Sequence, residues 1–380
     1  MKEVTRLTAA DKNWKAGEPA PCSYYDENMR LLVREGVLVA DAELVSRLLE
    51  RAVFMASYAE VQPQARPLNV QDPVFDQVVH AAERLGRLFA QVKEGGAAIE
   101  KPCMDIAAQI QHCCAMDADA AIAAAFVAKV ERMRVIQSLK TAIIVELVMG
   151  REGIESSRRQ TAVCAALTAN IGLYPALGEL EEFAGKLSKS MQYSILRHPD
   201  ESVRLLREGG VADADWLRYV QEHHERQDGS GYPRGLAAGM LSWEGELIGM
   251  AESYVAMVYP KKYKRHRSPV TALKEIHNLR GKEFAPEMVQ KLVAATGVYP
   301  AGSMFGLASG AAVVMKRSAN SLEAAELYFV HDKSGFALPA PESARERIST
   351  SEIVEILHPY SCKMPLAVLK KIWFRPPLAR

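Results

Sequence analysis

From residue 74 to residue 297, apolar residues recur at spacings of three and four, the period of a helix with one buried face. Phe75, Val78, Val79, Ala82, Leu85, Leu88 and Phe89 set the pattern, and Glu94-Gly95-Gly96 interrupts it. Ile106, Ile110 and Cys113-Cys114 belong to a second helix. An alanine-rich third runs from near Asp119 to about Leu139, and a fourth passes through Ile143, Ile144 and Leu147. These segments predict a helical stalk over 74–150, which either packs within the chain or pairs with a copy of itself as a homodimer. Beyond it, helices are predicted over Arg158–Ile171, Leu187–Gly209, Ala212–Arg226, Trp243–Tyr259, Pro269–Leu279 and Pro286–Thr296, forming a helical domain over 151–297.

The two ends of the chain have a different texture. Residues 1–60 read as a small mixed α/β domain. It has a turn at Tyr24–Asn28, a strand pair at Arg30–Val33 and Val37–Val39, and a helix that Asp41 caps and that buries Leu44, Leu48, Leu49, Ala52 and Met55. Residues 61–73, with three prolines, read as a linker. After Tyr299-Pro300, a hairpin is predicted from Met304-Phe305 through Ser309-Gly310 to Ala312–Met315. Glu326–Val330 follows as a third strand, giving a small β appendage over 298–336. Residues 337–380 are expected to be a loosely docked tail. Its end, from Lys363, holds five basic residues and no acidic one, and suits a solvated terminus or a membrane or partner contact. The fold class expected is mainly α.

Composition narrows the function classes. At 380 residues, 49% hydrophobic and 24% charged, the chain is an ordinary globular protein with room for two or three domains. A net charge of +1 gives no electrostatic ground for bulk nucleic-acid binding. Cys22, Cys103, Cys113, Cys114, Cys164 and Cys362 form neither a CxxC pair nor a disulfide framework, which points to reduced thiols and a cytoplasmic location. The charged opening MKEVTRLTAADKNWK is not a signal peptide, and no apolar run approaches the roughly 20 residues of a membrane span.

The chemistry concentrates in His223-His224-Glu225-Arg226-Gln227-Asp228-Gly229-Ser230-Gly231-Tyr232-Pro233. On the predicted 212–226 helix, Leu217, Val220 and His224 share a face, and His223 follows Val220 by three, so both imidazoles point inward. Each buried ring nitrogen then needs a partner. A metal ion satisfies that need, and so does a hydrogen-bonded core. Asp228, Gly229, Gly231, Tyr232 and Pro233 form a turn in which the glycines permit positive φ or close backbone approach and Tyr232 offers a ring face. Such a turn receives a phosphate or a base, or is purely structural. In Lys261-Lys262-Tyr263-Lys264-Arg265-His266-Arg267, six of seven residues are basic or can become so. This is either a solvated loop or a contact for a phosphate, a guanine face or an acidic partner, with Lys261, Lys262 and Arg265 as its cations.

HHExxDGxGYP is the signature of the HD-GYP family, a subgroup of the HD phosphohydrolases, and residues 223–233 reproduce it. The resemblance extends over about 130–297 and includes Arg197-His198-Pro199-Asp200 and Phe284-Ala285-Pro286. The β appendage also looks like an extension common in the family, and the N-terminal unit resembles more loosely the leader of some members. The resemblance implies an HD-type helical bundle, hydrolysis of cyclic di-GMP and a centre of two or three metals, typically iron or manganese. Carried over residue by residue, it implies that His198, His223 and His224 serve one metal. The family's first histidine falls on Gln137, its HD pair on Ala169 and Asn170, the following lysine on Leu173 and its last aspartate on Glu252.

These departures remove ligands of the second metal and the phosphate-binding lysine. Asn170 is isosteric with aspartate but neutral, and a two-metal mechanism needs its bridging charge. The expectation is therefore a degenerate member that holds one divalent ion (iron, manganese or zinc) on His198, His223 and His224, with Glu252 and Asn170 as further candidates. It would work in cyclic di-GMP signalling as a nucleotide sensor or protein-interaction module, with a diguanylate cyclase as one candidate partner. The alternatives are a phosphodiesterase with an altered or mononuclear site and a structural dimerisation scaffold.

Overall fold

The computed structural model describes residues 5–7, 12–18, 20–27, 31–33, 39, 41–56, 73–94, 98–127, 133–176, 188–258, 267–323, 325–344, 348–357 and 366–373. The chain divides into two units, Met1–Asn69 and Val70–Arg380.

In the first unit, β1 (Thr5–Arg6), β2 (Ser23–Tyr25), β3 (Leu31–Val33) and β4 (Phe54–Ala56) form an antiparallel sheet in the order β1-β4-β2-β3, accompanied by α1 (Ala42–Arg51). Asp41 caps α1 through Oδ1, which accepts from the backbone N–H groups of Glu43 and Leu44. Trp14, Cys22, Tyr24, Val45 and Leu49 build the core, with Trp14 stacked on Tyr24. Two local expectations change. α1 stops at Arg51, and Met55, expected on that helix, lies in β4. Tyr24-Tyr25 lie in a strand rather than a turn, because Cys22 and Tyr24 alternate inward. Leu31–Val33 pairs with β2; the partner expected for it, Val37–Val39, lies outside the described residues except for Val39. The linker expected at 61–73 lies outside the described residues except for Pro73.

The second unit is helical with a sheet at its C-terminal end. Its helices are α2 (Val74–Glu94), α3 (Glu100–Met116), α4 (Ala118–Val127), α5 (Met133–Arg151), α6 (Ser156–Thr168), α7 (Lys189–Glu208), α8 (Ala214–Glu222), α9 (Trp243–Val258), α10 (Pro269–Asn278), α11 (Pro286–Thr296) and the short α12 (Leu366–Leu369). A 3-10 turn over Ile171–Ala176 follows α6. The alanine-rich stretch expected as one helix to Leu139 is two, α4 and the start of α5.

The 74–150 helices do not stand apart as a stalk. Their apolar residues join those of α6–α11 in one core. Residues 135–146 of α5 are buried without interruption, which is too wide for a one-sided stripe and marks a central helix. It packs on α6, α9 and α11. The packing within the chain that the sequence offered for these helices is thus present.

The C-terminal sheet has the order β8-β7-β6-β5-β9, all antiparallel, from β5 (Met304–Leu307), β6 (Ala312–Met315), β7 (Leu327–His331), β8 (Ala337–Ser343) and β9 (Ile353–Leu357). β5–β7 match the expected hairpin and third strand. β8 and β9 come from the segment expected to be a loose tail. They are edge strands, and residues such as Val354 face solvent, which weakens their apolar pattern. Further on, Trp373 stacks on Phe75 and its indole N–H donates to the Lys316 carbonyl at 2.9 Å, so residues 366–373 are docked on the helical core. No helix among the described residues is long and apolar enough to cross a membrane.

Candidate metal centre

His198 sits inside α7, immediately before Pro199. Proline has no N–H, so the carbonyl one turn back, that of Ile195, loses its helical donor. The His198 side chain takes that place: its Nδ1 lies 2.6 Å from the Ile195 oxygen. The His-Pro dipeptide thereby fixes the tautomer, with Nδ1–H donating and Nε2 carrying a lone pair. His198 is fully buried.

The second histidine reaches the same state by another route. α8 ends at Glu222, not at Arg226 as periodicity suggested, and His223 is its C-cap. The last carbonyls of a helix lack intrahelical donors. That of Val220 accepts from His223 Nδ1 at 2.6 Å. The two Nε2 atoms, one on His198 and one on His223, then face each other across 3.2 Å. His224 follows in the turn, half-buried, with its ring 4.1 Å from that of His223 and 4.9 Å from that of His198. One ligand atom from each of the three histidines lies within 4.8 Å of the others.

Two side chains from other elements complete the group. Glu252, on α9, brings Oε2 to 3.4 Å from His223 Nε2 and 3.9 Å from His224 Nε2. Asn170, just past α6, donates Nδ2–H to Glu252 Oε1 at 2.7 Å. Glu252 Oε2 and Asn170 Oδ1 are both buried with no hydrogen bond. The cluster thus brings together imidazole lone pairs and unsatisfied carboxylate and amide oxygens. Acceptors crowded in this way need a cation between them, either a metal ion or a proton. Burial holds the His223 imidazole below its ordinary value, opposed by the Glu252 carboxylate. Three imidazole nitrogens with a carboxylate oxygen form a donor set suited to zinc, iron or manganese, so the residues present fit a divalent ion.

Glycines allow the elements to approach so closely. A Cβ on Gly172 would lie 2.6 Å from the His198 carbonyl oxygen and the Ser202 nitrogen, so the 3-10 turn after α6 lies directly on α7. Ser202 seals that junction by donating to the Ala169 carbonyl and accepting from Gly172 N–H. On the other side, a Cβ on Gly249 would lie 2.0 Å from the His223 carbonyl oxygen.

The glycine-rich turn packs against the histidines. Tyr232 stacks on His224 at 4.6 Å, and its N–H donates to the His224 carbonyl. Gly229 has φ +75° as expected. Gly231 is needed for proximity instead, since a Cβ there would meet Glu225 Cα at 2.4 Å. Asp228 accepts from the Ser230 N–H and hydroxyl, which closes its own turn and lowers its carboxyl below the usual value. Pro233 is partly exposed beside Tyr232.

Sequence reasoning missed the role of Glu225, which is buried and accepts from the N–H groups of Arg234 and Leu236, clamping the loop behind the histidines. Its place inside the motif was the available signal. Of the remaining candidates, Gln137, Ala169 and Leu173 are buried, on α5, at the end of α6 and in the 3-10 turn. Ala169 and Leu173 carry no donor or acceptor in their side chains. Lys261, Lys262 and Arg265 lie outside the described residues.

Residues 120–288 match the HD domain family. A cyclic di-GMP phosphodiesterase of Pseudomonas aeruginosa is 30% identical over 159 residues, covering 42% of this chain and 38% of that protein. A cyclic di-GMP phosphodiesterase of Thermotoga maritima is 44% identical over 68 residues, 18% of each chain. The matched stretch therefore spans well under half of either relative. Among solved structures, an HDG"Y"P protein from Bdellovibrio bacteriovorus aligns with a TM-score of 0.48 at 14% identity, over 76% of this chain and 98% of that one. With the HD domain matched around these histidines and the HHExxDGxGYP motif intact, residues 120–288 are an HD domain of the HD-GYP type.

Proposed function

We propose that this protein acts in cyclic di-GMP signalling as a nucleotide sensor or protein-interaction module that holds one divalent metal and has lost efficient phosphodiesterase turnover. The observation that carries the reading is the contrast within the site. His198, His223 and His224 converge with Glu252, while Gln137, Ala169, Asn170 and Leu173 replace the groups a second ion and a substrate phosphate require. Asn170 supports it further, since its amide is engaged in holding Glu252, a task a carboxylate could not perform without a cation.

His198, His223 and His224 would hold the ion, with Glu252 beside them. Such an ion supplies Lewis acidity toward a phosphate oxygen when bound. Tyr232, stacked on His224 and partly exposed, offers the ring face against which a base or a partner such as a diguanylate cyclase would rest. A second reading, a mononuclear phosphodiesterase, is favoured by the carboxylate that Glu252 retains next to the histidines.

The test measures metal content, cyclic di-GMP affinity and turnover on one preparation purified without chelator. The proposal expects about one equivalent of iron, manganese or zinc, lost in His223→Ala, and nucleotide or partner binding with negligible turnover. Turnover abolished by His223→Ala establishes the second reading instead. Absence of metal, even after adding these ions, together with absence of nucleotide binding, leaves a scaffold and overturns both. Restoring Gln137→His, Ala169→His, Asn170→Asp and Glu252→Asp together should raise turnover if those positions are the lost ligands.

A further inference from the structure

Outside the histidine centre, a groove of about 680 Å³ runs between the last turn of α7, residues 210–212, the outer side of α8 and Arg234. Arg207, Arg218 and Arg234 line it, all three exposed, and its floor includes Val211 and Leu217. Among the described residues, Glu222 is the one acid on that lining, and its carboxylate is already used. Oε2 accepts from the Ser242 N–H and hydroxyl, and Oε1 accepts from Arg218 Nε at 2.7 Å. Two acids at the rim serve the backbone. Glu100 accepts from the Ala212 N–H, and Asp213 caps α8 by accepting from those of Asp215 and Trp216.

Positive charge is therefore left over. Arg234 donates to the neutral Gln221 Oε1 at 2.6 Å, and the Arg207 guanidinium has no hydrogen bond or ion pair among the described residues. A guanidinium takes a carboxylate through two parallel N–H groups, and arginine clusters select acidic segments. The form of the groove decides between a small molecule and a protein. Small-molecule sites enclose about 70–90% of their ligand. Here the cations stand in solvent, and no aromatic ring among the described residues lines the groove to hold a base. Met240, 61% exposed, lies beside Arg218, whose guanidinium donates to the Met240 carbonyl. Arginine and methionine are the side chains enriched where proteins meet.

We infer that this groove is a docking site for an acidic segment of a partner protein, with its carboxylates on Arg207 and Arg234 and its apolar side chains against Met240 and the groove floor. The inference rests on the protein-interaction part of the proposed function and gives the chemistry of that partner. It requires neither the metal nor the nucleotide.

The probe is a fluorescein-labelled acidic peptide, LEELEEL, titrated into the full chain and followed by fluorescence polarisation, with its glutamine counterpart LQQLQQL as the reference. The expected result is saturable binding of the acidic peptide alone, weakening as salt rises. Arg207→Glu and Arg234→Glu should each weaken binding about five-fold, and the two together more than ten-fold. Both side chains are exposed, so both variants should fold with an unchanged Tm. Lys274→Glu, which reverses an exposed cation of α10 outside the groove, should change binding less than about two-fold. Removal of metal with EDTA, followed by dialysis, should leave peptide binding intact, so a failure of the histidine centre and a failure of the groove are told apart. Equal affinities in Arg207→Glu and Lys274→Glu overturn the inference, as does binding that disappears with the metal. Displacement of the peptide by an equal concentration of ATP assigns the groove to a small polyphosphate and overturns it as well.

Discussion

The contact between α9 and the turn bearing the histidines can be tested with one methyl group. In Gly249→Ala the new Cβ would lie 2.0 Å from the His223 carbonyl oxygen and 3.0 Å from its carbon. A close C···O approach in proteins is about 3.3 Å, so α9 and the His223 turn must separate by roughly 1 Å. The atoms met are backbone and cannot rotate away. Overpacking of this kind costs about 1–3 kcal/mol. Against it stands the intrinsic gain of replacing glycine by alanine within a helix, about 1 kcal/mol. The upper part of the range applies here, giving a net loss of about 2 kcal/mol. Gly86→Ala is the control. Gly86 lies within α2 and a Cβ there would meet nothing within 4 Å, so that variant should gain stability of up to about 1 kcal/mol. Urea unfolding followed by tryptophan fluorescence measures both, and metal retention reports on the histidines, since the shift would disturb the 3.2 Å approach of His223 to His198. If both variants gain stability equally, α9 does not press on the His223 carbonyl and the description of the site is wrong.

Other expectations follow from single contacts. With the folded-state value of Lys140 lowered to about 7 and the unfolded-state value near the ordinary one, the unfolded chain binds the extra proton between these two. Unfolding free energy should therefore rise as pH increases from 7 toward 10, by up to about 1.4 kcal/mol per pH unit, and this part of the slope should vanish in Lys140→Met. Among the described residues, Arg267, paired with Glu275, lies on the same cavity lining as Lys140. Trp373→Ala removes the stack on Phe75 and the bond to the Lys316 carbonyl. It should cost about 3–5 kcal/mol in denaturant unfolding, whereas an undocked tail would give no change. Glu225→Ala leaves the N–H groups of Arg234 and Leu236 without their acceptor, and should cost about 3 kcal/mol and speed proteolysis within 226–236.

What the sequence revealed depended on how local the determining physics is. The HHExxDGxGYP motif and His198-Pro199 are short-range signals, and the chemistry they imply appears at those residues. Helix periodicity located α7 and α11 to within about two residues because each has one consistently apolar face. The end of α8 at Glu222 was not legible. Nothing in the residue types stops that helix there, and the stop comes from the turn that packs Gly231 onto Glu225. Lys140 reads as the polar side of an amphipathic helix, and only the arrival of α4, α9 and the C-terminal strands buries it. The docking of Trp373 was hidden for the same reason: Phe75 lies almost three hundred residues away in the chain.

The charge of the histidine cluster bears on how many ions it can hold. Three imidazoles, the Asn170 amide and the Glu252 carboxylate converge there, and Glu252 is the one acidic side chain of that group. Two divalent ions about 4 Å apart repel by about 16 kcal/mol, even at an effective dielectric of 20. A carboxylate placed between them attracts both and offsets much of that. At residue 170 this chain has an amide, which attracts neither ion as a charge and instead donates to Glu252. The same hydrogen bond orients Glu252 so that its other oxygen faces His223. In the proposed one-ion form Asn170 would do two things at once: withhold the charge a second ion needs, and direct the remaining carboxylate toward His223. A replacement that had merely lost function would do only the former, so the pairing with Glu252 argues for a site retained in a one-ion form.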